Sequence, residues 1–333
     1  MSYIELYGLL RSASFHHGLS ILKNLQSSSH SHTEGFFEVD WEQFQMKKCG
    51  KYDPNLEILC YIDTLLIGGI SELSQIALEK YKYIENTNLS TFATEAERAY
   101  LQKLSNPSKK YVIWHIKIAN NKEQPLVIEL DIQKCPKSCD NFWQLSNPNN
   151  TLYYAGSTIH RIVSNGYIEG GFINTPSGKS PFSINGGFFD DENYSYLHDK
   201  PGVIGMSKYG RNENGSLFYI TLRPFPNLDG RMVAFGRVVE GMNVVRLISN
   251  VNVVNQKPSD LIVITKSQGY IESLTENFKE RGGLDEGEEK EEVEDLVMRR
   301  DAIVEEIENA RLETGQQKIL RTMIADIIGG IIE

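Results

Sequence analysis

A chain of 333 residues with 40% hydrophobic content has the length for two domains and the composition of ordinary globular protein. Its net charge of −10 speaks against nonspecific nucleic-acid binding. No apolar run approaches about 18 residues, and Met1-Ser2-Tyr3-Ile4-Glu5-Leu6 has no basic stretch followed by an apolar one, so the expectation is a cytoplasmic protein with no membrane partner.

Residues 3 to 10 alternate as a strand does, and Ser12 to Ser14 offer a cap for a helix over 18 to 26. A Ser/His-rich break follows at 27 to 33, then a short strand at 36 to 39. Residues 56 to 62 and 65 to 67 read as a hairpin across Asp63-Thr64, and Gly68-Gly69 leads into a helix over 71 to 83. This β-α-β then β-β-α order over residues 1–85 resembles the thioredoxin and glutaredoxin architecture. Redox work there needs a thiolate at the start of the first helix, where Arg11-Ser12-Ala13-Ser14-Phe15 has none, so the expected role is adaptor or docking surface. Residues 86–108 are polar, with a helix around 95 to 104, and read as a linker ending near Pro107.

From Tyr111 the pattern becomes densely β. Strands are expected at 111 to 118, 126 to 130, 157 to 163, 167 to 169, 203 to 207, 216 to 221, 233 to 239 and 261 to 265, with helices at 136 to 145 and 241 to 250. Eight short strands with two helices predict a closed antiparallel barrel, capped by those helices, over 109–272. Cys135 and Cys139 have neither a histidine nor a second cysteine pair nearby, so no metal and no cofactor are expected, and the thiols of all four cysteines should be reduced.

The segment His160-Arg161-Ile162-Val163-Ser164-Asn165-Gly166-Tyr167-Ile168-Glu169-Gly170-Gly171 raises the question of function. It sets a guanidinium between apolar residues, which is costly unless a polar partner or a ligand meets it. A carboxylate paired for packing would suffice. The surrounding motifs suggest more. Cys135-Pro-Lys-Ser-Cys-Asp-Asn-Phe142, Gly156-Ser-Thr-Ile-His-Arg161, Asp191-Glu-Asn193, Gly202-Val-Ile-Gly-Met206, Asn214-Gly-Ser-Leu-Phe-Tyr-Ile220, Leu228-Asp-Gly230 and Val233-Ala-Phe-Gly-Arg-Val-Val-Glu-Gly-Met242 resemble, in order, the cyclophilins.

The resemblance implies an eight-stranded barrel that binds prolyl peptides on its outer face and speeds their cis/trans isomerisation. Amide resonance makes that isomerisation slow, and a guanidinium that hydrogen-bonds the prolyl nitrogen as it pyramidalises weakens the resonance. By this resemblance Arg161 is the catalytic arginine, and the peptide and proline pocket involves Tyr167, Glu169, Gly178, Met206, Ser207, Leu217, Tyr219, Leu228 and Met232. The neighbours depart from the family. Gly166 replaces the phenylalanine floor, with Tyr167 beside it to refill the space. Glu169 and Leu217 replace two glutamines, and Tyr219 a phenylalanine. Asn227 replaces the rim tryptophan and Met232 a histidine, while Ser207-Lys208-Tyr209 is bulkier than the small-residue ledge. Loss of a buried ring forfeits about 1.5–3 kcal/mol of apolar contact, and a carboxylate beside Arg161 competes for its donors. Weak or absent isomerase activity is therefore expected. An active isomerase of altered specificity and a module that holds prolyl peptides without turnover are the competing readings.

Together with the front domain, His-Arg-Ile-Val-x-Asn-Gly, aromatic, Ile over residues 160 to 168 is similar to the peptidyl-prolyl isomerase-like 6 group, regarded as inactive cyclophilins. That likeness implies a cilium or flagellum location, as a scaffold in an axonemal assembly such as the radial spoke. Beyond the barrel, residues 273–295 form an acidic linker and 296–333 an amphipathic helical tail, with Ile, Leu and Met at three- and four-residue spacings. The tail is expected to join a protein partner or a second copy, with packing back on the chain's own domains and contact with a membrane surface as the alternative readings.

Overall fold

The computed structural model describes residues 3–25, 30–175 and 178–270; the linker expected at 273–295 and the tail at 296–333 lie outside the described residues. The amino-terminal α/β region begins with β1 (Tyr3–Leu9), α1 (Ala13–Leu25), β2 (His30–Phe36) and α2 (Glu38–Cys49). It continues through β3 (Ile58–Ile62), β4 (Leu65–Gly68), α3 (Ile70–Tyr81) and α4 (Leu89–Leu104). The sheet order is β2-β1-β3-β4, with β2 parallel to β1 and the other pairs antiparallel. Its core joins Ile4 and Leu6 of β1 to Phe15, Ile21 and Leu22 of α1 and to Leu73 and Ala77 of α3. Ser12 starts α1 by accepting the Phe15 N–H at 3.2 Å.

Two elements differ from the sequence reading. The Ser/His-rich break contains most of β2, and the strand expected at 36 to 39 gives way to α2. β2 is an edge strand with mostly exposed side chains, held by backbone pairing to β1, so it carries no apolar alternation. α2 has two buried sides. Trp41 packs with Tyr7, Leu59 and Tyr61 under the amino-terminal sheet, whereas Val39 joins the barrel core. A helix covered on both sides shows no single stripe at a 3.6-residue period. The stretch expected as a linker helix, now α4, buries Phe92, Ala96, Tyr100 and Leu104 and packs along α1.

The barrel comprises β5 (Lys110–Ile118), β6 (Gln124–Leu130), α5 (Pro136–Leu145), β7 (Ile159–Val163) and β8 (Tyr167–Gly170). The short hairpin β9 (Ile173–Thr175) and β10 (Gly178–Ser180) precedes β11 (Val203–Gly210), β12 (Glu213–Thr221), a 3-10 turn Pro226–Leu228 and β13 (Ala234–Glu240). The end is α6 (Met242–Ser249), the hairpin β14 (Val253–Val254) and β15 (Lys257–Pro258), and β16 (Ile262–Gly269). Eight strands run antiparallel in the order β16-β5-β6-β13-β11-β12-β8-β7. A bridge from Thr158 to Val263 and the Ile264 N–H to Ser157 carbonyl bond at 3.0 Å bring the two ends together. The sheet is thus a nearly closed barrel. Trp114, Phe142, Tyr154, Phe218 and Phe235 fill it, with the Trp114 and Phe218 ring centres 4.8 Å apart.

The amino-terminal region docks on the barrel through a mixed apolar and charged joint. Phe37, Tyr100 and Leu104 pack against Tyr111, Val127 and Val239. Arg237 of β13 donates two hydrogen bonds to Asp40 of α2 and one, at 3.1 Å, to Glu129 of β6. Glu38 accepts the Gly241 N–H at 3.0 Å, and Arg246 donates to Glu42 at 2.5 Å. The acidic first turn of α2 is therefore occupied by barrel donors. No helix among the described residues is long and apolar enough to cross a membrane.

Candidate functional site

Arg161 lies on β7 opposite Glu169 on β8, one register pair in a two-strand ladder. That pairing places the two side chains on one face of the sheet, about 5 Å apart at their Cβ atoms. The Arg161 Nη1 donates to Glu169 Oε2 at 3.2 Å. Glu169 is 7% exposed, and its other oxygen accepts from the Ser207 hydroxyl at 2.6 Å. His160 Nε2 stands 3.9 Å from the same oxygen, but burial holds its imidazole below the ordinary value, so it is neutral near pH 7. Glu169 thus has Arg161 as its one fully charged partner among these contacts. The arginine's Nε donates to Gln256 Oε1 at 2.7 Å, from the turn between β14 and β15.

An aromatic wall stands beside the arginine. Tyr167 makes edge contacts with Tyr219 at 5.8 Å and Phe225 at 6.2 Å, and the Arg161 guanidinium carbon lies 5.8 Å from its ring centre. Tyr219 is 1% exposed, and its hydroxyl meets His198 Nε2 at 2.6 Å. His198 Nδ1 meets Asp229 at 2.7 Å. Burial would raise the Asp229 carboxyl, but hydrogen bonds from the His198 side chain and backbone outweigh it and hold it below the usual carboxylate range. Burial pushes the Tyr219 hydroxyl well above its ordinary value. The ionised Asp229 carboxylate accepts from Nδ1, and the Tyr219 hydroxyl shares a hydrogen bond with Nε2. A methyl on Gly205 would collide with that hydroxyl, so the larger ring requires glycine there. Tyr219→Phe leaves the His198 Nε2 buried without its hydrogen-bond partner. A loss of about 1–2 kcal/mol is expected in urea denaturation; an unchanged midpoint would show that the relay contributes nothing.

The structure thus brings Arg161, Tyr167, Glu169, Ser207 and Tyr219 into direct contact. Leu228 lies in the 3-10 turn between Phe225, which packs on the Tyr167 ring, and Asp229, which holds His198, and Met232 follows, its N–H bonded to the Leu228 carbonyl. Leu217 is buried beside Phe218 on β12. Two further residues of the expected pocket make none of these contacts. Met206 is fully buried in the barrel's apolar cluster, because β11 alternates and it is Ser207 that turns toward Glu169. Gly178 is exposed on the β9–β10 hairpin at φ 112°, with open space around it. Gln256, His198, Asp229 and Phe225 are additional site residues. Asp229 falls in the Leu228-Asp-Gly230 motif, and Gln256 has a turn signal, the two residues Asn255-Gln256 between short Val-Val and Lys-Pro segments.

The chemistry available is hydrogen-bond donation by one restrained guanidinium beside aromatic rings. Burial pushes the Cys135 thiol up to about 11 and raises that of Cys139 as well, so neither supplies a thiolate at neutral pH. Among the described residues no cluster of three His, Cys, Asp or Glu side chains could hold a metal ion.

Residues 115–268 match the model of the family described as cyclophilin type peptidyl-prolyl cis-trans isomerase/CLD. The chain is 32% identical to "Probable inactive peptidyl-prolyl cis-trans isomerase-like 6" of Bos taurus, over 79% of its own length and 92% of the relative's. It is 31% identical to the Homo sapiens protein of the same name, over 79% and 90%. "Peptidyl-prolyl cis-trans isomerase D" of Saccharomyces cerevisiae is 39% identical over 45% of this chain and 68% of the relative. With the barrel, the ordered motifs and relatives that span both the α/β region and the barrel, the chain belongs to the cyclophilin family.

Proposed function

We propose that the protein is a cyclophilin-like scaffold or adaptor with weak or absent peptidyl-prolyl isomerase activity. The observation that carries this reading is the Glu169 carboxylate on Arg161. A carboxylate competes for a guanidinium donor far more strongly than a neutral amide does, and it must be displaced before that donor can serve a prolyl nitrogen. The relatives named as inactive isomerases support it. The sheet order of the amino-terminal region favours the thioredoxin-like reading of residues 1–85, here as a docked layer without a cysteine in the Arg11 to Phe15 loop. Placement in an axonemal assembly such as the radial spoke, with partners joined through residues 296–333, belongs to the same proposal and rests on the resemblance alone.

Turnover of a prolyl peptide by the full chain should fall at least about tenfold below that of an ordinary cyclophilin, and Arg161→Ala should lower it little further. Turnover equal to an ordinary cyclophilin, abolished by Arg161→Ala, would establish an active isomerase of altered specificity. Peptide affinity without turnover would identify a module that holds proline motifs on the Tyr167 and Tyr219 rings.

A further inference from the structure

The β14–β15 hairpin carries a residue that its backbone disfavours. Val253 pairs with Pro258 and Val254 with Lys257, so Asn255 and Gln256 alone make the turn. Both have positive φ, 50° and 65°. Two-residue turns with left-handed backbone at both positions favour Asn-Gly, because a Cβ at the second position is strained. Glycine at 256 would make the same turn and the same backbone bond, in which the residue 256 carbonyl accepts the Ile162 N–H at 2.8 Å. What glycine could not do is reach Arg161. The Gln256 side chain does so, its Oε1 accepting from Nε at 2.7 Å. Strained residues persist where the surrounding structure uses them, and the use on view is this one hydrogen bond.

The restraint on Arg161 is consequently two-sided. Glu169 occupies Nη1 from β8, and Gln256 occupies Nε from the β14–β15 turn. A guanidinium is planar, so fixing two of its nitrogens fixes the plane and the direction of every remaining N–H. The side chain itself is 42% exposed, so packing does not impose that orientation. The Gln256 contact spans 95 residues of sequence and joins the carboxyl-terminal hairpin to the strand that bears the arginine.

We propose that Gln256 is a positioning residue that clamps Arg161 in its Glu169-bound orientation and withholds the Nε donor from a bound prolyl peptide. This deepens the reading of an impaired isomerase and rests on it. The test uses the full chain as wild type, Gln256→Gly, Glu169→Gln and the double variant. Nitrogen-15 NMR follows hydrogen exchange at the Arg161 Nε–H, assigned by its loss in Arg161→Lys, while a prolyl-peptide assay follows turnover. Gln256→Gly should keep or raise the unfolding midpoint, since glycine suits the turn, and should speed Nε–H exchange several-fold. In the Glu169→Gln background it should raise turnover about fivefold, in line with release of one solvent-facing hydrogen bond of about 1 kcal/mol. Equal exchange in wild type and Gln256→Gly overturns the clamp, whatever the activity. Faster exchange with no gain of turnover in the double variant overturns its role as a restraint on catalysis. Full turnover by the wild type would instead sink the impaired-isomerase reading, and with it the withholding of Nε, leaving the exchange data to decide whether the contact exists.

Discussion

Arg237→Ala is expected to cost about 3 kcal/mol of stability, because it strands two carboxylates at the joint at once. Arg237 has 13% side-chain exposure and holds Asp40 and Glu129, whose exposures are 27% and 13%. The Tyr111 hydroxyl also donates to Glu129 at 3.0 Å, so the network extends into the apolar seam formed with Phe37. Removing the one cation hydrogen-bonded to both carboxylates leaves them with only the through-space attraction of Lys103 in a poorly solvated place, whereas removing all three charges together leaves no stranded carboxylate. The triple variant Arg237→Met, Asp40→Leu, Glu129→Leu should therefore recover most of the loss. Denaturant midpoints of both proteins decide the matter. A single-variant loss below about 0.5 kcal/mol would mean that water solvates the joint well enough to make the network dispensable.

A second large effect should appear as a pH dependence. Glu240 sits at the same joint with 18% side-chain exposure, and burial pushes its carboxyl from about 4.5 up to about 7. Arg11, 3.7 Å away, and the Tyr100 hydroxyl at 3.0 Å pull it down, while Glu38 and Glu97 push it up. Between those two values the folded protein holds a proton that the unfolded chain has released. This contribution is fully present below about pH 4.5 and is lost as pH rises through 7, by about 3 kcal/mol when complete. Glu240→Gln, neutral at every pH and still able to accept from Tyr100, should flatten this slope and be the more stable protein at pH 8. A wild-type midpoint that does not fall between pH 5 and pH 8, relative to the variant, would refute the assignment.

The barrel was legible because its strands are dense in Val, Ile and Phe, with β5 alternating and β11 and β12 buried on both faces over most of their length, and because glycine-bearing turns fall between them. The amino-terminal order was legible only in part. β2 has the composition of a loop, and its strand character comes from a parallel neighbour that no local pattern announces. α2 is hidden for the opposite reason, since both the sheet and the barrel cover it. At the site, Arg161, Tyr167, Glu169, Ser207 and Tyr219 could be placed by motif, and Glu169 was recognised as a competitor for the arginine before the 3.2 Å contact was seen. Met206, also placed by motif, lies in the barrel interior, on the face of β11 opposite the one from which Ser207 reaches Glu169. The contacts of Gln256, His198 and Asp229 were missed because they cross between segments distant in sequence, and neither the Leu228-Asp-Gly230 motif nor the Asn255-Gln256 turn says which distant side chain they will meet.

The joint described above also has a bearing on how the protein is made. Asp40 meets Arg237 across 197 residues of chain, Glu38 meets Gly241 across 203, and Glu42 meets Arg246 across 204. During synthesis at about 5–20 residues per second, the amino-terminal layer emerges first and then waits, on the order of ten to forty seconds, for β13 and α6 to follow. Over that interval Val39 and the acidic first turn of α2 have no barrel to cover them. Closing so long a loop is slow for purely entropic reasons. The nascent chain therefore passes through a stage in which half of its final seam is displayed to solvent, and that stage, more than the finished barrel, is where a chaperone would find something to hold.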